Sequence, residues 1–310
     1  MQKTKVVVAT RKSELALAQC RQFLRRLEQA HPRLELSELH VVTTGDEIVD
    51  RPLADIGGKG LFLKEIEEAL LDGRADFAVH SLKDVPPDVH PDLCLAAIPE
   101  REDPRDVLVS RSGLGLMALP AGSVIGTSSL RRALQLRELR PDISVVPIRG
   151  NVGTRIQKCL DGVVDATVLA RAGMNRLGFE HKITETLSVE QSLPAVGQGA
   201  LVIEMRRADV EMAALVRTLE HADTMLCVEA ERGVMSAVEG DCKTPVAAYA
   251  ERRGDEIWLR TLLAEDGREN STVRREVTQP FPRDREAAHA LGSSLGRQLR
   301  EDLANKLALG

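Results

Sequence analysis

Apolar and polar positions along the chain follow two alternating rhythms, one with the period of a strand and one with that of a helix. Lys5–Thr10 is a β-branched run, and Glu14–Ala30 carries Leu17, Cys20, Phe23 or Leu24, and Leu27 on one stripe. Ser13 stands where a helix N-cap belongs. Leu34–Thr43 reads as a second strand, Leu61–Leu71 as a second helix, and Phe77–Val79 as a short buried strand. Pro86-Pro87 keeps that strand's ladder from continuing. Leu95–Pro99 closes the first unit, and the alternation runs on to a strand at Ala200–Met205, which predicts an α/β fold. From Ala222 the rhythm changes. A helix over 222–238, with Met225, Val228 or Glu229, Arg232 and Met235 spaced along it, precedes three alternating strands near 246–250, 256–263 and 271–278. A last helix, about 283–307, carries Ala287, Leu291, Leu295, Leu299 and Leu303, giving a small C-terminal α+β domain.

Two short patterns occur twice. Asp72-Gly73-x-x-Asp76-x-x-Val79 is echoed by Asp161-Gly162-x-x-Asp165-x-x-Val168, each at a helix end entering a strand. Thr10 with Ala16-Leu17 is echoed by Thr127 with Ala133-Leu134, and both echoes run in the same order. The inference is two related α/β units with facing strand ends and a cleft between them. Glu100–Asp106 and Leu193–Gly199 read as hinge crossings, the second returning the chain to the first unit. The expected domains are residues 1–99 with 200–217, residues 105–193, and residues 222–310.

Composition is that of an ordinary globular protein, 43% apolar and 29% charged. No apolar run approaches the ~18 residues that span a bilayer. The N-terminus reads directly into a strand without a signal-peptide core, so a cytoplasmic protein with no membrane partner is expected. The five cysteines, at 20, 94, 159, 227 and 242, are odd in number and lack C-x-x-C spacing. That pattern predicts reduced thiols and neither a disulfide framework nor a metal site. Cys20, Cys159 and Cys227 fall in helical patterns and read as small core residues. A net charge of −5 and seven aromatic residues leave no nucleic-acid footprint.

The basic residues are unevenly placed. Between Gly126 and Arg155 six arginines face two acids, Glu138 and Asp142. Arg131 and Arg132 fall in the first turn of a helix, where a cation opposes the macrodipole by a few tenths of a kcal/mol, about the scale at which an anion is called for. Arg149 and Arg155 repeat the theme at the next strand end, whereas Arg137 and Arg140 fit a solvated helix face. Arg11 and Ser13 mark a similar strand–turn–helix anion site. His80, Ser81, Lys83 and Asp84 fall where a parallel strand ends and ligands sit in open α/β sheets. Gly57-Gly58-Lys59-Gly60 reads as a flap, without P-loop spacing, and Lys59 and Phe62 are candidate lid residues. Cys242, in a polar loop beside Lys243, differs from the other four cysteines because a neighbouring cation and exposure favour thiolate.

Five motifs then stand in order: V-H-S-x-K-D-V-P from Val79, G-T-S-S-L-R-R from Gly126, R-G-N-V-x-T-R from Arg149, L-P-A-V-G-Q-G-A from Leu193, and Gly240-x-Cys242. Together they resemble the porphobilinogen deaminase family, from about Val7 to Trp258. The resemblance implies two doubly wound lobes similar to type II periplasmic binding proteins, plus the small C-terminal α+β domain. It implies a cytosolic transferase of tetrapyrrole (heme) biosynthesis, expected as a monomer. Four porphobilinogens are joined head to tail with loss of ammonia, on a dipyrromethane cofactor held by a thioether to Cys242. Water then releases hydroxymethylbilane. By the same resemblance Ser81, Lys83, Thr127, Ser129, Arg131, Arg132 and Arg155 hold the cofactor. Arg11, Ser13, Arg149, Arg176 and Gln198 hold the incoming ring, and Asp84 is the catalytic group. A fixed carboxylate there stabilises cationic intermediates and shuttles protons. This reading requires Asp84 to be turned away from bulk solvent and Cys242 to lie near the arginines. Asp55 replaces a lysine of some members, and Asp241 and Lys243 replace small or neutral neighbours of the cysteine.

Two rivals remain on the residues alone. A non-catalytic two-lobed binding protein for a polyanionic small molecule explains the arginines and hinges but not Asp84 or Cys242. A nucleic-acid-binding regulator is opposed by the acidic total and scarce aromatics.

Overall fold

The computed structural model describes residues 4–43, 63–87, 89–238, 244–265, 268 and 271–309. In chain order its elements begin with β1 (Lys5–Arg11), α1 (Glu14–Ala30), β2 (Glu35–Val41), α2 (Lys64–Leu71), β3 (Phe77–Ser81) and β4 (Leu93–Ala97). Then come β5 (Asp106–Ser110), β6 (Val124–Gly126), α3 (Leu130–Leu139), β7 (Ser144–Val146), α4 (Val152–Leu160), β8 (Ala166–Ala170), α5 (Arg171–Arg176) and β9 (Glu185–Thr186). The chain continues through β10 (Leu201–Arg206), α6 (Val210–Val216), α7 (Ala222–Val238), β11 (Val246–Arg253), β12 (Glu256–Leu263), β13 (Val273–Pro280) and α8 (Arg285–Leu309). Two compact units result: residues 1–101 with 200–225, and residues 102–199 with 226–310.

Each unit contains a five-stranded mixed sheet with the same plan. The first has the order β2-β1-β3-β10-β4, and the second β7-β6-β8-β5-β9. β1 is parallel to β2 and β3, as β6 is to β7 and β8. The fourth strand, β10 or β5, is antiparallel to both its neighbours. Helices cover both faces, because alternate strand residues point opposite ways. In the first sheet Phe77 and Val79 pack with Phe23 and Leu27 of α1, while Ala78 packs with Ile66 and Leu70 of α2. Phe23 and Leu24 are both buried, so the stripe on α1 is wider than either choice alone. In the second sheet Leu108 and Val168 face Leu136 of α3, while Val109 and Leu169 face Ile156 of α4.

The repeated D-G-x-x-D-x-x-V pattern explains how both sheets are assembled. Asp72 and Asp161 are the C-cap residues of α2 and α4, each with φ −73° and ψ −6°. The glycines that follow turn the chain with φ of 73° and 81°, a region open to glycine. The second aspartate then brackets the neighbouring strand. The Val7 amide donates to Asp76 Oδ2 at 2.8 Å, and the Asp76 amide donates to the Val7 carbonyl at 2.7 Å. Val124 and Asp165 make the same pair of bonds, at 2.8 and 2.9 Å. The motif is therefore a helix stop joined to a strand clamp.

In the C-terminal part, β11, β12 and β13 form an antiparallel sheet. Ala247, Tyr249, Trp258 and Leu262 on it pack with Leu134 of α3 and with Leu193. Two helix expectations are corrected. α7 shows no single stripe: residues 226–228 and 230–234 are all buried, while Met225 and Met235 are only half-buried. On α8 the buried positions are Ala288, Gly292, Leu295, Gly296 and Leu299, with Ala287, Leu291 and Leu303 half-buried. The reason is close helix packing. A Cβ at Gly292 would overlap the Ala230 carbonyl oxygen, and one at Gly233 would overlap the His289 carbonyl oxygen. A count of large apolar residues does not register glycines that act as contact surface.

Replacing either bracketing aspartate by alanine strips an acceptor from a strand amide. Asp76 is buried and also paired with Arg206, whereas the Asp165 side chain is 42% exposed. Urea unfolding should place Asp76→Ala about 2–4 kcal/mol below the parent and Asp165→Ala about 1 kcal/mol below it, with unchanged m. Equal losses at the two positions would contradict the assigned roles.

Candidate functional site

In the first unit, β1 and β3 are adjacent and parallel, so their C-terminal ends share one edge of the sheet. Arg11 ends β1, and Ser13 caps α1 by accepting from the Ala16 amide at 3.3 Å. Ser81 ends β3, and a single 3-10 turn, Leu82–Asp84, follows it. Gln19 of α1 donates to Ser81 Oγ at 2.6 Å and ties the two segments together. The Ser81 hydroxyl proton is left to donate elsewhere. Leu82 is buried and its amide donates to the Ala200 carbonyl at 3.0 Å, which anchors the turn. Lys83 and Asp84 point outward and are exposed. Among the described residues none bonds the Asp84 carboxylate, and the side chain is exposed where the sequence reading required it to be turned away from bulk solvent. The physical reason is local: the side chain ends one turn of 3-10 helix at the surface, just before Pro86-Pro87. Directly behind, His80 Nε2 meets Glu204 Oε2 at 2.9 Å in a buried pair that no sequence cue indicated.

In the second unit, the C-terminal ends of parallel β7, β6 and β8 again share an edge, and the helices α3, α4 and α5 start there. Thr127 is buried after β6, and its Oγ1 accepts from the Ser129 amide at 3.2 Å. Ser129 caps α3. Asn151 caps α4 by accepting from the Thr154 amide at 2.8 Å. Arg149 is exposed, and Arg155 Nε donates to the Gly150 carbonyl at 2.7 Å. Burial, followed by the adjacent Arg132 charge, pulls the Arg155 guanidinium below its usual range. Arg176 donates to the Gly199 carbonyl at 2.9 Å, and burial brings it down to about 10.

The anion that Arg131 and Arg132 call for is present, and it is internal. β5 is antiparallel to β8, so its first residue, Asp106, arrives opposite Ala170 at the same edge. Arg131 Nη1 donates to Asp106 Oδ2 at 2.8 Å, and Arg132 donates to Oδ1 from Nε at 3.1 Å and from Nη2 at 2.7 Å. Ser192 Oγ donates to Oδ2 at 2.8 Å and Gln198 Nε2 to Oδ1 at 2.9 Å. Burial alone would raise the Asp106 carboxyl, but the two guanidiniums outweigh it and hold the group well below the usual carboxylate range. The count of six arginines against two acids missed Asp106 because it lies outside that stretch. An acid opening the otherwise apolar run Val107-Leu108-Val109 was its one visible sign. Gln198 is almost wholly buried, donates also to the Pro104 carbonyl at 2.6 Å, and accepts from Arg132 at 3.4 Å. Its amide thus orients Arg132. Arg140 is another correction: it is buried, not solvated, bonding Asp142 and the carbonyls of Leu116 and Leu119. Arg137 is exposed as expected.

The unit therefore presents Arg131 and Arg132 sharing one carboxylate, with Arg155 beside them bonded to a carbonyl rather than an acid. That excess of guanidinium fits a guest with several carboxylates. Cys242, with Gly240, Asp241 and Lys243, lies outside the described residues, as do Asp55, Gly57 to Gly60, Lys59 and Phe62.

A family model described as porphobilinogen deaminase, dipyromethane cofactor binding domain, matches residues 6–214, and the C-terminal domain model of the same family matches residues 225–301. The chain belongs to the porphobilinogen deaminase family. A porphobilinogen deaminase from Sorangium cellulosum (strain So ce56) is 60% identical over 299 residues, covering 96% of this chain and 99% of that one. The family is the one its five motifs resemble, and a non-catalytic binding protein is not favoured. Among solved structures the chain is similar to the second substrate binding domain of a putative amino acid ABC transporter from Streptococcus pneumoniae Canada MDR_19A (TM-score 0.44, 11% identity, 70% of this chain and 91% of that one). It is also similar to the Bordetella pertussis BvgS VFT2 domain (TM-score 0.41, 16% identity, 70% and 86%).

Asp106→Asn leaves two buried guanidiniums without their counter-charge and should cost about 3–5 kcal/mol. The pH dependence has a definite sign. The folded-state carboxyl is depressed, so its contribution is complete above the unfolded value near ~4 and is lost as pH falls from there toward the folded value. Asp106→Asn should therefore flatten the acid limb of a stability–pH curve by about 1.4 kcal/mol per pH unit below pH ~4. An unchanged acid limb would show that Asp106 is not ionised in the folded chain.

Proposed function

We propose that this chain condenses four porphobilinogen molecules head to tail, releasing ammonia at each joining, and hydrolyses the product from the enzyme as hydroxymethylbilane. The observation that carries the reading is the pair of family models in chain order over residues 6–214 and 225–301. Dipyrromethane is its cofactor, attached through Cys242. The second unit's donors fit such a group, since two pyrroles bring four carboxylates to Arg131, Arg132 and Arg155. When bound, dipyrromethane supplies the pyrrole carbon at which chain growth starts. Ser81, Lys83, Thr127 and Ser129 add hydroxyl and ammonium donors for its acetates and propionates. Arg11, Ser13, Arg149 and Arg176 hold the incoming ring, with Gln198 acting through Arg132. Arginine suits this work because it stays charged at every physiological pH and pairs with carboxylates through two parallel bonds.

Asp84 is the catalytic group. Ring N–H groups of the guest would give its exposed carboxylate hydrogen-bond donors. Held there, the acid lowers the energy of positive charge on a pyrrole nitrogen and can take up or return a proton. The shared strand order of the two sheets supports treating both lobes as similar to type II periplasmic binding proteins, and a separate family model over residues 225–301 supports reading residues 222–310 as a third domain. The enzyme is read as a cytoplasmic monomer acting without nucleic acid or membrane. Among the described residues no helix is long and apolar enough to cross a membrane.

Denaturing mass spectrometry tests cofactor and attachment together. The intact chain should carry the added mass of two pyrrole units on the peptide containing Cys242, and Cys242→Ser should have the plain polypeptide mass. Added mass on another peptide, or none, sinks the assignment. Asp84→Ala should melt like the parent, since the side chain is exposed, yet lose about 10²–10³-fold in kcat. Near-parental turnover would remove Asp84 from the mechanism.

A further inference from the structure

Glu231 lies midway along α7 with no exposed surface, and the reaction as described gives it nothing to do. Both its carboxylate oxygens accept from backbone amides of distant segments. Gly197 donates to Oε2 at 2.7 Å, and Ala250 of β11 donates to Oε1 at 2.9 Å. A buried carboxylate is costly unless its oxygens are satisfied in this way. A glutamine has the same shape but one oxygen, and its NH2 would confront one of the two amides donor to donor. The position calls for an acceptor at both ends, which a carboxylate supplies.

The amides belong to segments with work to do. Gly197 opens the turn Gly197-Gln198-Gly199, whose glycines have φ of 67° and 89°. Gly199 approaches the Glu102 carbonyl too closely for a Cβ to fit. Gln198, carried by that turn, bonds Asp106 and Arg132. At the other end, Glu231 lies seven residues before Val238, where α7 ends, and Cys242 follows four residues later. One side chain thus joins the helix leading to the thiol to the turn that orients the guanidiniums.

We propose that Glu231 is a positioning residue that sets the register between α7, the helix that precedes Cys242 in the chain, and the Arg131–Arg132 platform. A guest tethered at residue 242 then meets those guanidiniums in one pose. The inference rests on the reading that Cys242 carries the cofactor. A purely structural Glu231 would alter stability and leave turnover per loaded molecule unchanged, and that difference separates the two roles.

The test is Glu231→Gln in the full-length holoenzyme, read by intact mass, amide exchange and steady-state kinetics with porphobilinogen. The variant should unfold cooperatively and carry the parental cofactor mass. Its Gly197 and Ala250 amides should exchange at least tenfold faster. Its kcat should fall at least tenfold with KM changed less than threefold. Asp76→Ala, which loosens the first unit without touching this clamp, should keep parental kcat. Parental kcat in Glu231→Gln, or unchanged exchange at Gly197, overturns the proposal. If Glu231→Gln does not fold, Cys242→Ser replaces it. Loss of the tether should then speed Gly197 exchange at least threefold while leaving Val7 unchanged, and no change at Gly197 overturns the proposal. A parent chain without added mass on the Cys242 peptide overturns the underlying reading. Parental mass with an indifferent Glu231→Gln overturns only the role of Glu231.

Discussion

Asp106 carries its carboxylate at the start of β5, fully out of solvent, with two guanidiniums, a hydroxyl and an amide converging on it. Alone, such a buried charge would cost several kcal/mol, and so would each buried guanidinium. Together they satisfy one another, and the arrangement exists only if all four segments are in place. That dependence makes the cluster a constraint on the whole edge of the sheet. It also explains why arginines in the first turn of α3 are tolerated against the macrodipole. With Asp106 holding them, Arg131 and Arg132 are already ordered, so if they bind the guest as proposed, little conformational entropy would be lost. Arg155, beside Arg132 and bonded to a carbonyl, adds a further guanidinium to the cluster.

The two sheets share one plan and use it differently. In each, an aspartate after a helix-stopping glycine clamps the neighbouring strand, and parallel strands deliver their ends and helix N-termini to one edge. This is the edge where open α/β sheets receive anions. The first unit ends β1 in Arg11 and follows β3 with the turn that carries Lys83 and Asp84. The second sets guanidiniums there. A duplicated scaffold thus offers two edges of the same geometry, one with a group suited to proton transfer and one suited to holding carboxylates.

Much of this was legible in the chain because it is local. Strand and helix positions and the Ser13 cap follow from neighbouring residues, and the Asp-Gly half of the repeated motif stops its helix locally, while its second aspartate reaches a strand 69 or 41 residues away. What was not legible is what the fold brings together from afar. Asp106 reaches Arg131 from 25 residues away through an antiparallel strand, which turned an apparently unbalanced basic stretch into a partly neutralised one. Arg140 looked solvated because its carbonyl partners, Leu116 and Leu119, lie on another segment. The contact face of α8 was misplaced because Gly292 and Gly296 pack by lacking side chains. The exposure of Asp84 escaped the sequence because a motif fixes which residue follows a strand and not what stands opposite it.

The buried thiols show why the covalent chemistry proposed at Cys242 need not be repeated at them. Cys20 and Cys159 are buried. Burial pushes the Cys20 thiol up to about 12, with the charge of Glu38 adding to the effect, and raises Cys159 as well. A thiol so placed is almost never a thiolate at neutral pH, and only the thiolate is a strong nucleophile. Cys227 is likewise buried in α7, the same helix that leads toward Cys242. Packing thus holds Cys20 and Cys159 as protonated core thiols, whereas Cys242 has Lys243 next to it in the sequence.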